Sequence, residues 1–154
     1  MKFYVAGKIW HAPKFQHLRD TVGLPVNSRW IDLGADDDIV LNHKDQLWQI
    51  CYEDVRDCDF VLLYCEDMSE EQRGALVEIG MAYGMNKRVY AIGKCNSICP
   101  NGISDVAFTH HHLWTWLDTD NLVKGAFYAM ALELSRAIKL KARQDAMTIQ
   151  GCAA

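Results

Sequence analysis

Phe60-Val-Leu-Leu-Tyr-Cys65 is an apolar run with no charge and no break. A short continuous run of this kind reads as a central parallel strand, buried on both faces by covering helices. Outward from it, elements alternate. Lys44 to Arg56 carries helical periodicity through Leu47, Ile50, Cys51 and Val55, and the segment Arg73 to Met85 reads as a second helix. Arg88-Val-Tyr-Ala-Ile92 is the next strand, ended by Gly93. Towards the N-terminus, Phe3-Tyr-Val-Ala6 is a strand, and a helix from about Pro13 to Thr21 is stopped by Gly23-Leu-Pro25. Pro25 to Ile31 reads as another strand, and Ala35 to Asp38 as a polar loop. Val106 to His110 reads as a fifth strand. A long final helix covers 121–146, with Asp118 or Asp120 as its cap.

This alternation predicts one α/β domain over residues 1–154: a flavodoxin-like or Rossmann-like parallel sheet with helices on both faces. The length suits a single core. Half the residues are hydrophobic, 23% are charged and the net charge is −4, so the chain lacks the basic surface that binds nucleic acid. No apolar run approaches a membrane span, and Lys2 precedes only a short apolar strand, which does not read as a signal peptide. The expected location is cytoplasmic, with the six cysteines as reduced thiols.

The helix Arg73-Gly-Ala-Leu-Val-Glu-Ile-Gly-Met-Ala-Tyr-Gly-Met85 holds one carboxylate, Glu78, among apolar or small residues. Leu76, Ile79, Gly80 and Tyr83 form one face. Glu78 points the other way, beside Gly74, Ala75, Met81, Ala82 and Met85. A helix apolar on both sides is expected to be buried, and a carboxylate there needs a partner or a purpose. Two readings stand: a catalytic carboxylate at the floor of a pocket, or a structural Glu paired with a neighbour. In a parallel sheet, ligands collect at the carboxyl ends of the strands. Those ends carry Gly7 and Lys8, Arg29, Trp30 and Asp32, and Tyr64, Glu66 and Asp67.

Set in order, Tyr4-Val-Ala-Gly7, Asp54-Val-Arg-Asp-Cys-Asp59, Gly74-Ala-Leu-Val-Glu-Ile-Gly-Met-Ala82 and Lys87-Arg-Val89 resemble the nucleoside 2-deoxyribosyltransferase family, with its nucleoside-monophosphate N-glycosidase and phage-encoded relatives. The resemblance covers roughly residues 1 to 93. It implies that Glu78 is the nucleophile on the anomeric carbon and that Tyr4 orients it. It implies a small-molecule nucleoside or nucleotide as substrate, no cofactor, and a homo-oligomer. The residue type suits the chemistry, because a carboxylate stabilises oxocarbenium character and can capture the sugar covalently.

The chain departs from that pattern at two places. An Asp usual six residues before the nucleophile is replaced by Gln72, followed by Arg73. A second Asp, about eight residues before the Asp that opens the third strand, falls on Cys51, unless Asp54 serves from one turn later. Gln72 and Arg73 at a helix start suit an anion, such as a 5′-phosphate. Lys8 and Arg29 are further phosphate candidates, Trp30 could stack on a base, and Asp32 could meet a sugar or base edge. The bland alternatives are a solvated Arg73 and Lys8, a core Tyr4, and an Arg29–Asp32 surface pair beside a core Trp30. Gly74 leaves room beside the carboxylate. His110-His-His112, with Cys95 and Cys99 nearby, invites a metal reading, but Cys95-x3-Cys99 has no matching second pair, so no metal is expected.

Overall fold

The computed structural model describes residues 1–99 and 106–151. Four strands form one all-parallel sheet in the order β1 (Phe3–Ala6), β2 (Phe60–Tyr64), β3 (Arg88–Ile92) and β4 (Trp114–Leu117). β1 and β2 are buried throughout, as their unbroken apolar composition requires. The helices are α1 (Ala12–Gln16, continued by a π turn over His17–Thr21), α2 (Asp38–Asn42), α3 (Lys44–Asp57), α4 (Arg73–Gly84) and α5 (Leu122–Gly151).

Side-chain alternation assigns the helices to faces. Tyr4, Val61 and Val89 are in register on one face, where the Tyr4 hydroxyl meets Glu78 of α4. Leu62 and Tyr90, then Tyr64 and Ile92, are in register on the other. There Tyr64 packs edge-on against Phe15 of α1, and Tyr90 donates to Glu133 of α5. A Cβ on Gly125 would stand 2.3 Å from Ile92 Cδ1, so α5 approaches the sheet at a point only glycine permits. α3 packs beside α4. The parallel sheet is therefore covered on both faces, the expected α/β architecture.

The segment Pro25 to Ile31 is not a strand. Phe3 donates to the Pro25 carbonyl and Asn27 donates to Phe3, giving a single parallel bridge at Val26. The ladder stops there because side chains take the next groups of β1. Ser28 Oγ accepts the Val5 N–H at 2.7 Å, and Trp30 Nε1 donates to the Val5 carbonyl at 3.0 Å. Arg29–Asp32 then coils into a 3-10 turn. The chain thus leaves β1 over the α1 face, touches its outer edge at Val26, and returns over the α3 face to β2. That reversal makes the carboxyl ends of β1 and β2 a topological switch point.

Three further expectations are corrected. Val106 to His110 is not a strand: Ala107–His110 forms a 3-10 turn, with Thr109 Oγ1 donating to the Val106 carbonyl, and the edge strand is Trp114–Leu117. The cap of α5 is neither Asp118 nor Asp120. Asn121 Oδ1 accepts the Lys124 N–H at 2.9 Å, three residues on, as a capping side chain must. The helix α4 is not buried all round. Ala75, Glu78, Ile79 and Ala82 face the core, while Gly74, Val77, Gly80 and Gly84 are exposed. The carboxylate therefore lies on the packed face, the side where a charge costs most.

Candidate active site

Glu78 is 8% exposed. It is carried inward by α4 and meets the Tyr4 hydroxyl, which donates to Oε1 at 2.7 Å. The two residues are 74 apart in the chain, and only the β1–β2–α4 packing brings them together. From α3, the Cys51 thiol lies near the carboxyl and favours its ionised form. The contact occupies Oε1, and Glu78 borders a cavity of about 160 Å³ lined by Gly7, Ile9, Trp30, Leu47, Trp48, Cys51 and Gly74. Apart from Glu78 and the Cys51 thiol, every lining side chain is apolar or is an indole. Trp48, 38% exposed, and Gly74 stand at the exposed mouth of the chamber.

Burial pushes the Glu78 carboxyl up to about 8, against the opposing pull of the Tyr4 hydrogen bond and the nearby Cys51 thiol. Burial likewise raises Tyr4 well above its ordinary value, and the Glu78 charge adds to this, so Tyr4 is a fixed hydroxyl donor. The Cys51 thiol is pushed up to about 12 by burial and by Glu78. It is a neutral donor and not a thiolate nucleophile. The constellation is one poorly solvated carboxyl, two neutral donors and an apolar chamber. A positive charge developing beside it would be stabilised far more strongly than in water.

The expected site residues divide into three groups. Glu78, Tyr4, Gly7, Trp30 and Gly74 converge on the chamber. Asp54 and Arg29 form its bracket. Asp54 accepts from the Arg29 backbone N–H and from Arg29 Nε, both at 2.7 Å, and Arg29 also reaches Glu53 at 2.8 Å. This clamps the 3-10 turn to α3 and holds Trp30 over the chamber. Burial raises Asp54, with the Arg29 hydrogen bonds working against it. The third group lies elsewhere. Lys8 sits over the Trp10 ring at 5.1 Å. Asp32 is bound bidentately by Arg19, and does not pair with Arg29. Tyr64 is on the opposite sheet face against His11 and Phe15. Gln72 turns its amide to Glu70 at 3.0 Å. Arg73 is largely exposed and pairs with Glu71.

Ile9, Leu47 and Trp48 are chamber residues that sequence reasoning did not single out. Leu47 and Cys51 share the helical stripe that was legible. Trp48 and Ile9 depend on where the chain turns after Gly7, for which no local pattern speaks. Behind β2 lies a polar cluster that was equally hidden. Glu70 accepts the Glu66 N–H and a Gln72 amide hydrogen, each at 3.0 Å, and His11 Nε2 lies 2.9 Å from it.

His111 stacks on Tyr83 at 4.3 Å and lies beside His112. Among the described residues no group of three or more His, Cys, Asp or Glu side chains could hold a metal ion. Nor is any helix among them long and apolar enough to cross a membrane. Compared with protein-family models, curated proteins and solved structures, the chain finds no match.

Proposed function

We propose that the protein cleaves the N-glycosidic bond of a 2′-deoxyribonucleoside through Glu78, passing the sugar to a second base or to water. The observation that carries this reading is a buried carboxyl held at one oxygen by Tyr4, on the floor of an apolar chamber at the switch point. Oε1 is committed to Tyr4, which leaves Oε2 for the anomeric carbon. In its ionised form Glu78 attacks that carbon. The bond to the base breaks with its electron pair going to the base nitrogen, which takes a proton from water at the chamber mouth. A glycosyl ester remains on Glu78. Attack by a second base, or by water, then breaks the ester bond and returns the carboxylate. Two displacements retain configuration. No step needs a cofactor.

The lining favours a nucleoside over its 5′-monophosphate. None of the lining residues is cationic. The three candidate phosphate contacts are directed elsewhere: Lys8 over Trp10, Arg29 onto Asp54 and Glu53, and Arg73 onto Glu71. The volume suits one ring, which the sugar fills, with the base towards Trp48 at the mouth.

The test is intact-protein mass spectrometry with a 2′-fluoro-2′-deoxyarabinosyl nucleoside, whose fluorine slows the second displacement. A glycosyl mass on the peptide containing Glu78, with base release, is the expected result. Turnover with inversion, or label on another residue, overturns the assignment. Tight nucleotide binding with neither adduct nor free base would instead identify a sensor.

A further inference from the structure

The chain leaving β3 folds back across the end of β2. Cys65 continues β2 by one residue, its N–H donating to the Ile92 carbonyl at 2.9 Å. Gly93 then turns with φ +72°, and a Cβ there would stand 1.9 Å from the Cys65 carbonyl oxygen. Only glycine makes this turn so close to a neighbouring strand. Two residues further on, Cys95 is set beside Cys65. The turn is held from its far side as well. The Asn96 N–H donates to the Met68 carbonyl at 2.8 Å, and Ser97 Oγ accepts the Gln72 N–H at 3.1 Å. Gln72 is the residue that opens α4.

The two sulfurs are chemically unequal. Cys65 is 2% exposed and Cys95 0%. The Cys65 thiol lies against Cys95 and favours its ionised form. The Ser97 and Ile98 N–H groups add to this, so Cys95 is held below the usual thiol range despite its burial. Cys65 is pushed the other way, by that neighbour and by burial. One thiolate-prone sulfur beside one thiol is the arrangement from which a disulfide forms. Cys58, equally buried, shows the ordinary case: its thiol donates to the Val55 carbonyl at 3.1 Å, and burial pushes it up to about 11.

We propose that Cys65 and Cys95 form a reversible disulfide that pins the turn after β3 to the end of β2. This does not rest on the catalytic reading. The co-reactant is a low-molecular-weight disulfide. The Cys95 thiolate attacks one of its sulfurs, the S–S bond breaks, and one small thiolate leaves with the electron pair. Cys65 gives its proton to that thiolate and attacks the Cys95 sulfur. The Cys65–Cys95 bond forms as the second small thiolate leaves. Two protein sulfurs are oxidised, one small disulfide is reduced, and an excess of small thiol reverses the exchange. Lys94 and Asn96, on either side of Cys95, are exposed, so the sulfur is reached when this short turn lifts, without opening the core. Because Ser97 takes the Gln72 N–H, the bond fixes the start of α4, the helix that carries Glu78.

The test uses the full native chain and glutathione disulfide. The protein should lose the mass of two hydrogens and regain it with dithiothreitol. A tryptic map should join residues 57–73 to residues 95–124. Fragmentation of the joined peptides should place the bond at Cys65 and Cys95, a reading that needs no variant. Cys65→Ala, with circular dichroism to confirm its fold, should stop at a glutathione adduct on Cys95. In the oxidised wild type the Gln72 N–H should exchange with solvent roughly threefold or more slowly than in the reduced. A native chain that forms no such link, a bond through Cys58 or Cys99 instead, or an unchanged Gln72 exchange rate overturns the proposal.

Discussion

Two buried glutamates stand eight residues apart at the same edge of the sheet, and their surroundings are opposite. Glu70 is 7% exposed and Glu78 is 8% exposed. Glu70 lies in a polar nest: the Glu66 N–H and the Gln72 amide donate to it, and the His11 ring stands 2.9 Å away. Glu78 has one strong donor, Tyr4, one weak thiol, and otherwise apolar walls beside a cavity. Burial alone does not make a carboxylate reactive. Capacity left unused beside empty space does, because a group already surrounded by donors has nothing to gain from a developing cation. The comparison can be broken at either residue.

The largest expected effect is on turnover. Glu78→Gln keeps the volume and the Tyr4 contact but removes the nucleophile. Deoxynucleoside cleavage should fall by roughly a thousandfold or more, the scale of losing a covalent catalyst. Activity within tenfold of wild type would sink the mechanism. Turnover should also titrate. Only ionised Glu78 attacks, and its carboxyl is pushed up to about 8, so kcat/KM should climb with pH and level off above that value. A profile flat from pH 6 to 9 would remove Glu78 from the chemistry.

Stability should move in the opposite direction. The carboxyl is about 8 when folded and 4.5 in its ordinary state. Between those values the native state holds a proton that the unfolded chain has lost. Folding stability from this group is therefore intact below about 4.5, declines as pH rises to about 8, and is constant beyond. Glu78→Gln has no such loss. Relative to wild type the variant should gain on the order of 4 kcal/mol between pH 5 and pH 9. Paired denaturant titrations at the two pH values measure it, and an equal difference at both would show Glu78 to be well solvated.

Glu70 supplies the contrast at a smaller scale. Glu70→Ala leaves the Glu66 N–H without its acceptor and the Gln72 amide with only the Tyr64 carbonyl at 3.4 Å. The expected cost is about 1–3 kcal/mol of stability. Below the melting transition kcat should stay within about threefold of wild type, because the nest lies off the chamber. A loss of turnover matching that of Glu78→Gln would erase the distinction between the two glutamates.

How much of this was legible follows from the range of the interactions. Phe60–Tyr64 and Arg88–Ile92 were legible because a central parallel strand writes itself as an apolar run. Glu78 was legible because a lone acid among small residues at helical spacing is conspicuous. Pro25 to Ile31 misled: Val26 and Ile31 look like strand residues, but the Ser28 and Trp30 side chains take the bonds that a strand backbone would make. Trp114–Leu117 was passed over in favour of Val106 to His110, since an edge strand with a half-exposed pattern carries little periodicity. Arg29 and Asp32 stand close enough in sequence to suggest a pair. Each is claimed by a more distant partner, Asp54 and Arg19, which no local spacing reveals.

The smallest expected effect concerns the cations. Lys8 and Arg73 were the natural phosphate ligands by position, one after β1 and one at the start of α4. Lys8 instead lies over Trp10, and Arg73 is 85% exposed beside Glu71. An exposed pair of this kind contributes under about 1 kcal/mol. Lys8→Ala and Arg73→Ala should each change kcat/KM for a deoxynucleoside by less than about twofold, within the range of surface substitutions. They should change use of the 5′-monophosphate no more than that, and the wild type should prefer the nucleoside. A charged hydrogen bond to phosphate would be worth roughly 1.5–3 kcal/mol, so its loss would appear as a selective drop of tenfold or more for the monophosphate alone. Steady-state kinetics with the matched pair of substrates separates the two cases. A selective drop would mean that a phosphate draws these side chains inward on binding, and that the apolar chamber around Glu78 is one half of a larger site.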